Sequence, residues 1–231
     1  FVTVIGGNGS GKSTMLNVIA GVYFPESGRV LIDGTDVTSL PEHKRSAFIG
    51  RVFQDPMMGT AAGMGIEENL ALAFRRGKTR GLKWGISAKE RQYYYDILKE
   101  LDLGLEERLT TKVGLLSGGQ RQSITLLMAT LTKPKLLLLD EHTAALDPKT
   151  AVKVLEITTN IVERNNLTTL MVTHNMRDAI ALGNRLIMLY KGRIVIDVRG
   201  KEKSSLTVEK LLKMFSDISG SDEADDKLLL S

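Results

Sequence analysis

The chain has 231 residues, of which 42% are hydrophobic, so it is long and apolar enough to bury one substantial core. It contains no cysteine, which excludes disulfides and cysteine-ligated metal sites. The formal net charge is a mild +4, but basic residues concentrate between Arg75 and Arg91, which predicts either a solvated face or a contact with lipid headgroups or an acidic partner. The longest aliphatic run, residues 136–139, is far too short to cross a bilayer, and we expect any membrane role to come through a partner.

The first motif is the stretch from Gly6 to Thr14, which fits the phosphate-loop pattern G-x-x-x-x-G-K-[ST]. Residues 1–5 before it are apolar and β-branched, which predicts a buried strand, and apolar residues at helical spacing after it predict a helix. Glycines let the loop turn its backbone N–H groups toward an anion, and the helix N-terminus adds its positive dipole end. We therefore expect Lys12 to reach the β- and γ-phosphates of a nucleotide and Ser13 to ligate magnesium.

Short strands and then helices are predicted next. Residues 29–33 with the Asp33-Gly34 turn predict part of a small antiparallel layer. Residues 48–53 predict another strand, and Gln54 at its end is expected to point into a ligand crevice. From residue 57 to about 133 the β pattern stops, and helical periodicity over 66–74 and 88–103 predicts an inserted helical subdomain. Three consecutive tyrosines, residues 93–95, are predicted to pack within the second helix, because a helix turns successive side chains to different faces.

The second half of the chain carries polar residues at the ends of apolar elements. Residues 116–120, Leu-Ser-Gly-Gly-Gln, precede a helical pattern and form a second candidate anion site at a helix N-terminus. Residues 136–139 predict a buried parallel strand that ends in Asp140 and Glu141. A helix to about residue 164, a strand over 167–173 that ends before His174, a hairpin of 185–190 and 193–198, and a helix over 206–216 follow. Residues 217–231 predict a flexible acidic tail.

This ordered set of motifs resembles the nucleotide-binding domain of ABC (ATP-binding cassette) ATPases over residues 1 to about 198. The resemblance implies an α/β fold with a P-loop NTPase (RecA-like) core, a small antiparallel β layer and an inserted α-helical subdomain. It implies a single ATP-binding domain over 1–216, with its core at 1–56 and 134–200 and the helical subdomain at about 57–133. Within the family, the order of elements is similar to the separate ATPase subunit of importer-type bacterial transporters for small organic solutes such as amino acids.

The resemblance also implies roles for matching residues, with ATP and Mg²⁺ as the bound groups. ATP would be held by Gly6, Asn8, Gly9, Ser10, Gly11, Lys12, Ser13, Thr14, Ser117, Gly118, Gly119 and Gln120. Magnesium would be held by Ser13, Gln54 and Asp140. Glu141 matches the general base that takes a proton from the attacking water, and His174 matches the histidine that contacts the γ-phosphate. Gln54 matches a third catalytic residue, which links the site to the transmembrane partner.

The partners implied are a second ATPase subunit, a permease and a solute-binding protein, with no nucleic acid. In the family, Ser117 to Gln120 match a signature that faces the nucleotide of the other subunit in a head-to-tail pair, and Asp147 matches an aspartate at that interface. The implied location is the cytoplasmic face of the cell membrane. We predict that the permease docks in the groove between the helical insertion and the core near Gln54, with Arg75 and Arg76 taking part.

Two departures from the family pattern lead to further expectations. His142 stands where proline is common. Beside Glu141 it could alter the local charge, but as a loop residue it is expected to face solvent. No residue before the phosphate loop can stack on adenine, and the sequence lacks an initial methionine. We therefore expect that Phe1 is not the natural start and that an upstream segment supplies an aromatic residue and at least one strand of the antiparallel layer.

Other functions remain open at this stage. A soluble ABC ATPase acting on nucleic acid or ribosomes, the ATPase of an exporter, and a nucleotide-binding regulator without turnover share some of these motifs. The insertion lacks sustained heptads, which disfavours the chromosome-acting class. Both Glu141 and His174 are present, which disfavours a regulator without turnover.

Overall fold

A six-stranded sheet forms the centre of the computed structural model, which describes residues 1–77 and 85–219. The strands of the described residues are β1 Val2–Ile5, β2 Leu31–Ile32, β3 Thr35–Asp36, β4 Ile49–Val52, β5 Leu136–Asp140, β6 Thr169–Val172, β7 Arg185–Tyr190 and β8 Arg193–Arg199. The large sheet has the order β4–β5–β6–β1–β7–β8, and β2 pairs with β3 in a separate antiparallel sheet. Neighbours from β4 to β7 are parallel, and β7 with β8 forms the predicted antiparallel hairpin.

Helices cover both faces of the large sheet. Those of the described residues are α1 Lys12–Ala20, α2 Glu42–Arg45, α3 Ile66–Phe74, α4 Ala88–Lys99, α5 Gly118–Thr130, α6 Pro148–Asn165, α7 Met176–Ala181, α8 Lys201–Ser204 and α9 Val208–Ser219. Within the part of the chain that the structure describes, none of them is both long enough and apolar enough to span a bilayer.

The leucine run of β5 explains this layered arrangement. Leu137 and Leu139 are buried in one cluster with residues of α5 and α6, such as Ile124. Leu138 points the other way, into a cluster that contains Leu16 of α1. Successive residues of a strand face opposite sides, so an unbroken apolar run is what a strand buried on both faces requires. The predicted α/β core with a parallel sheet and a small antiparallel layer is confirmed.

The two helices predicted over 66–74 and 88–103 are both present, and only the end of the second differs from its predicted limit. The helix predicted over 88–103 ends at Lys99, because the chain turns at Asp102 and Gly104, whose φ angles of 54° and 64° lie in the left-handed region. Tyr94 is fully buried and its ring lies 6.5 Å from that of Phe74, which confirms that this tyrosine packs inside the helical layer.

The last helix also differs from its predicted limits. It runs from Val208 to Ser219 rather than over 206–216, so the first residues of the predicted flexible tail are helical. Leu211 and Phe215 are buried against the end of the sheet, which anchors the helix. The rest of the predicted tail, residues 220–231, lies outside the described residues.

Arg45 fastens the small antiparallel layer to the core. Its side chain is fully buried, and its guanidinium donates four hydrogen bonds to backbone carbonyls. Nη1 contacts Val18 O at 2.6 Å and Ile19 O at 2.8 Å, near the C-terminal end of α1. Nε contacts Leu40 O and Nη2 contacts Thr38 O, each at 2.7 Å. One side chain therefore forms hydrogen bonds both with helix α1 of the core and with the segment that follows the small antiparallel sheet.

We expect Arg45→Met to lower the free energy of unfolding by at least about 3 kcal/mol, because it leaves several buried carbonyl groups without donors, each worth about 1–3 kcal/mol. Chemical denaturation of the purified protein measures this. Arg29→Met is the matched control, since Arg29 is exposed next to the same layer. Equal stability of both variants would show that the four hydrogen bonds of Arg45 contribute little.

Candidate functional site

Four parallel strands bring the predicted site residues, apart from the Leu-Ser-Gly-Gly-Gln segment, to one edge of the sheet. Strands β4, β5, β6 and β1 are consecutive neighbours, and the carboxyl ends of parallel strands meet at the same edge. Asp140 is the last residue of β5, Gln54 follows the end of β4, and His174 follows the end of β6. The glycine loop follows the end of β1 and leads into α1. Residues that are far apart in the sequence therefore come together.

The loop between β1 and α1 has a backbone that depends on glycine. Gly6, Gly9 and Gly11 have φ angles of 151°, 75° and 102°, which side-chain-bearing residues rarely adopt. A Cβ atom on Gly6 would also lie 2.6 Å from Ser10 Oγ and would collide with Leu189 O. The loop wraps the N-terminus of α1, where free backbone N–H groups and the helix dipole favour an anion.

Lys12, the first residue of α1, is only 5% exposed, and its ammonium lies inside this loop. Nζ donates to Gly6 O at 2.7 Å and to Gly7 O at 3.1 Å. Burial lowers the pKa of Lys12, and the nearby carboxylates of Glu141 and Asp140 act in the opposite direction. The buried Ser10 hydroxyl has no hydrogen-bond partner among the described residues. The loop thus offers both a cation and an unused hydroxyl group to an anionic ligand.

Glu141 and His174, two predicted site residues from different strand ends, are in direct side-chain contact. His174 Nε2 lies 2.7 Å from Glu141 Oε1, and the Glu141 side chain is 12% exposed. The N–H of Glu141 donates to Val172 O at 3.0 Å, which joins the ends of β5 and β6. Such a carboxylate and imidazole pair beside an anion-binding loop is suited to moving a proton next to a phosphate group.

Asp140 meets an arginine that the sequence analysis missed. Arg51 Nη2 lies 3.6 Å from Asp140 Oδ2 and donates to Asn17 Oδ1 of α1 at 2.8 Å. Its guanidinium also lies 4.6 Å from the centre of the Phe53 ring. Gln54 is exposed and lines a cavity of about 660 Å³ together with Arg51 and Asp140. The sequence did contain one indication of this role, because Arg51 is the single charged residue in the otherwise apolar strand predicted over 48–53.

The Leu-Ser-Gly-Gly-Gln segment lies at the N-terminus of α5, as predicted. Ser117 Oγ accepts from Gln120 N at 3.3 Å, and Gln120 Oε1 accepts from Ser117 N at 3.2 Å, so the two residues cap the helix. A Cβ on Gly118 would meet Leu146 Cδ2 at 3.2 Å, and one on Gly119 would collide with Thr150. These contacts are made with the region after Glu141, and among the described residues no hydrogen bond joins this segment to the glycine loop of the same chain.

Arg121 is a second arginine that the sequence analysis missed, and it contacts the segment that precedes α5. Arg121 donates to the carbonyl oxygens of Val113, Gly114 and Leu116 at 3.2, 3.0 and 3.1 Å, and it contacts the sulfur of Met57. Arg121 therefore ties the start of the helix to the segment that follows Gln54. No pattern in the sequence pointed to these contacts.

The expectation that His142 faces solvent is wrong. His142 is 2% exposed, and its Nε2 lies 3.1 Å from Thr158 Oγ1 in α6. Helix α6 packs back over the turn that follows β5 and covers the ring. Burial lowers the pKa of His142 to about 4, so the imidazole is neutral at physiological pH.

Arg75 and Arg76 are part of the protein framework rather than a free basic surface. Arg75 forms an ion pair with Glu90 at 2.8 Å, at the start of α4. Arg76 donates to Ala129 O at 3.2 Å and Thr132 Oγ1 at 3.1 Å, and burial lowers its pKa. Arg76 also lines the cavity of about 400 Å³ between the inserted helices and the core, so its predicted part in docking the permease stays a prediction. Arg75 is instead engaged by Glu90. Residues 78–84 of the basic stretch lie outside the described residues.

A groove does separate the inserted helices from the core at the predicted position. We use the name groove for the cavity of about 400 Å³ whose apolar lining includes Ile49, Phe53, Met58, Leu72 and Met128. Met58 and Leu72 are 71% and 39% exposed, so two large apolar side chains of this groove are available for contact.

Comparison with known proteins shows a match to one family model and similarity to ATP-binding proteins of transport systems. Residues 1–144 match the family model described as ABC transporter. The chain is 51% identical to a tyrosine transport ATP-binding protein of Clostridioides difficile (strain R20291) over 215 residues, which are 93% of this chain and 85% of the relative. It is 35% identical to the thiamine import ATP-binding protein ThiQ of Salmonella choleraesuis (strain SC-B67) over 84% of this chain and 77% of the relative.

Solved structures agree with this assignment. A dimeric ATP-binding cassette in a post-hydrolysis state bound to ADP and Pi has a TM-score of 0.71 and 32% identity over 86% of this chain and 84% of its own. The ADP conformation of an ATP-binding cassette of an ABC transporter has a TM-score of 0.74 and 28% identity over 93% of this chain and 86% of its own.

Because the buried ring of His142 resists protonation, we expect it to lower the free energy of unfolding as the pH falls. As pH falls from 6.5 to 4, the unfolded chain gains a proton at this histidine that the folded chain does not, so stability decreases, by about 3 kcal/mol in total. His142→Phe should therefore flatten the fall in unfolding free energy over this range, measured without nucleotide or metal by chemical denaturation at a series of pH values. His43→Phe, at an exposed position in α2, is the control. Parallel curves for the wild type and His142→Phe would contradict the prediction.

Proposed function

The chain belongs to the ABC transporter family and is an ATP-binding ATPase, and from that premise we propose that it powers a separate transmembrane permease. We propose uptake of a small organic solute such as an amino acid, which the tyrosine and thiamine relatives support. The observation that carries the proposal is the contact of 2.7 Å between Glu141 and His174 beside the glycine loop. It joins a candidate base to a candidate phosphate-contacting group where a triphosphate would bind.

The residues around the loop fit a magnesium nucleotide. Backbone N–H groups, Lys12 and the unpartnered Ser10 hydroxyl suit the phosphates, and the proposed ATP contacts are Gly6, Asn8, Gly9, Ser10, Gly11, Lys12, Ser13, Thr14 and, from the second subunit, Ser117, Gly118, Gly119 and Gln120. The oxygen ligands of Ser13, Gln54 and Asp140 suit Mg²⁺, a hard cation that favours such donors. When bound, the ion neutralises charge on the phosphate oxygens.

Three residues are proposed to act in the reaction itself. Glu141 takes a proton from the attacking water as general base, and its contact with His174 fixes the direction of the carboxylate. His174 contacts the γ-phosphate. Gln54, exposed in the cavity beside Asp140, connects the magnesium site with the groove. Phosphoryl transfer depends mainly on positioning and charge neutralisation, and this set of residues supplies both.

A second subunit completes the proposed site. The N-terminus of α5 carries Ser117 and Gln120 on the surface but is not directed at the loop of its own chain. We propose a head-to-tail pair in which each subunit presents this helix end to the nucleotide of the other. Asp147, which caps α6 and accepts from Thr150 N at 3.0 Å, would lie at the interface. A dimeric cassette among the structural neighbours supports this arrangement.

The permease is proposed to bind in the groove. The subunit then lies peripherally at the cytoplasmic face of the cell membrane, with a solute-binding protein on the far side and no nucleic acid partner. The proposed domain comprises residues 1–216, with the helical subdomain of about 57–133 inserted into a core of 1–56 and 134–200. The groove lies between the two parts and next to Gln54, so a docked segment would contact both.

Glu141→Gln should retain ATP binding while turnover falls by roughly 10²–10⁴, the usual contribution of a positioned base. Calorimetry with ATP and a phosphate-release assay measure the two quantities on the same preparation. The matched control is Glu156→Gln, an exposed glutamate in α6. Turnover of Glu141→Gln close to that of the wild type would remove Glu141 from the role of base.

Leu72→Glu in the groove should weaken assembly with the permease by at least about tenfold, because a charged carboxylate would replace an apolar side chain that the docked segment covers. ATP binding by the isolated subunit should stay unchanged, since Leu72 is remote from the loop in the fold. Co-purification from detergent extract measures assembly, and Val152→Glu, on the exposed face of α6, is the control. Normal recovery of the permease with Leu72→Glu would exclude the groove as the docking site.

A further inference from the structure

The turn between β5 and α6 carries Glu141 in an uncommon backbone conformation. Its φ of 47° lies in the left-handed region, which residues other than glycine seldom adopt. Its N–H donates to Val172 O at 3.0 Å, and its carbonyl accepts from Ala144 N at 2.9 Å. Such conformations persist only where surrounding contacts hold them. The contacts of this turn therefore decide where the Glu141 carboxylate lies.

His142 supplies one of these contacts from inside the protein. Its buried Nε2 lies 3.1 Å from the hydroxyl oxygen of Thr158, which is fully buried in α6. The Thr158 hydroxyl donates its single proton to Val154 O at 2.7 Å, so its oxygen accepts from the histidine ring. Nε2 of His142 therefore carries a hydrogen, and the ring is tied to one place on α6.

The far end of the same segment meets the N-terminus of α5. Leu146 and Thr150 lie against Gly118 and Gly119, with no room for a side chain on the second glycine. The segment anchored by the buried ring thus connects Glu141 with the helix end that we propose for the second nucleotide. Movement of this segment would displace both.

We propose that His142 is a positioning residue for ATP hydrolysis, which sets the place of the Glu141 carboxylate through its hydrogen bond to Thr158. This inference rests on the proposed role of Glu141 as general base. His142 acts through the backbone and need not touch the nucleotide. Misplacing a reacting group by about 1 Å can cost on the order of 10²-fold in rate, so losing the hydrogen bond should reduce kcat rather than nucleotide affinity.

Thr158→Val tests the hydrogen bond, because it keeps the shape of the side chain and removes the acceptor. In the purified full-length subunit, assembled with its permease where turnover requires it, kcat should fall by about tenfold or more while KM for ATP changes by less than about twofold. Thr158→Ser retains the hydroxyl group and should keep a kcat near that of the wild type. An unchanged kcat in Thr158→Val would overturn the proposal.

Two further measurements separate positioning from a general loss of stability. Thr130→Val removes a similar buried hydroxyl, which donates to Leu126 O at 2.9 Å in α5, and it should leave kcat unchanged. A double-mutant cycle with His142→Phe should give a double variant no slower than the slower single variant, because both changes break the same contact. Slow turnover in Thr130→Val, or additive losses in the cycle, would contradict the positioning role.

The Glu141→Gln assay distinguishes this inference from the function on which it rests. Full turnover in Glu141→Gln would refute the role of the base and the inference with it. Loss of turnover in Glu141→Gln, together with normal turnover in Thr158→Val, would leave the proposed function in place and refute only the positioning role of His142.

Discussion

The hydrogen bond from Glu141 N to Val172 O is the contact on which the arrangement of the site depends, because it joins the ends of β5 and β6. It continues the parallel register in which Asp140 lies opposite Val172. It also brings the Glu141 carboxylate to His174, which lies two residues after the end of β6. Strand β1 pairs with the other side of β6 and delivers the glycine loop to the same edge. A slip of one residue would turn every side chain of a strand to the opposite face, so the register of three neighbouring strands fixes the site.

Hydrogen bonds from a buried cation to backbone carbonyl groups stabilise the fold at Arg45 and prepare the candidate phosphate site at Lys12. An unpaired buried charge costs several kcal/mol, and here both Arg45 and Lys12 are satisfied by backbone carbonyl groups. The acceptors of Arg45 include carbonyls of α1, so its contacts join two parts of the fold permanently. The acceptors of Lys12 are the carbonyl groups of Gly6 and Gly7, which belong to the loop itself. A phosphate oxygen would make a stronger, charge-assisted hydrogen bond with the ammonium than a carbonyl does, so a nucleotide can replace them.

The sequence allowed the sheet and the site edge to be predicted because both depend on local patterns. A run of leucines indicates a strand buried on two faces, and polar residues after parallel strands share one edge. Contacts between distant elements could not be predicted in this way. The burial of His142 depends on α6 folding back over the turn, and Arg51 finds Asp140 only once β4 and β5 pair. The same holds for Arg76, whose acceptors lie in and beyond α5, so this arginine of the basic stretch makes contacts inside the protein.

Helix α5 connects two surfaces that we propose to bind different partners. Its N-terminus would face the second subunit, and its groove side would face the permease. Its N-terminus lies against α6 at Gly119, and further along Gln122 Nε2 donates to Phe53 O at 3.2 Å, directly before Gln54. Near its other end, Ala129 lies so close to β4 that a side chain on Gly50 would collide with its carbonyl oxygen. Protein interiors are close-packed, so a helix held along its length moves as a body rather than at one end. A permease segment that displaced the groove side of α5 would therefore also displace its N-terminus, and no separate relay between the two surfaces is required.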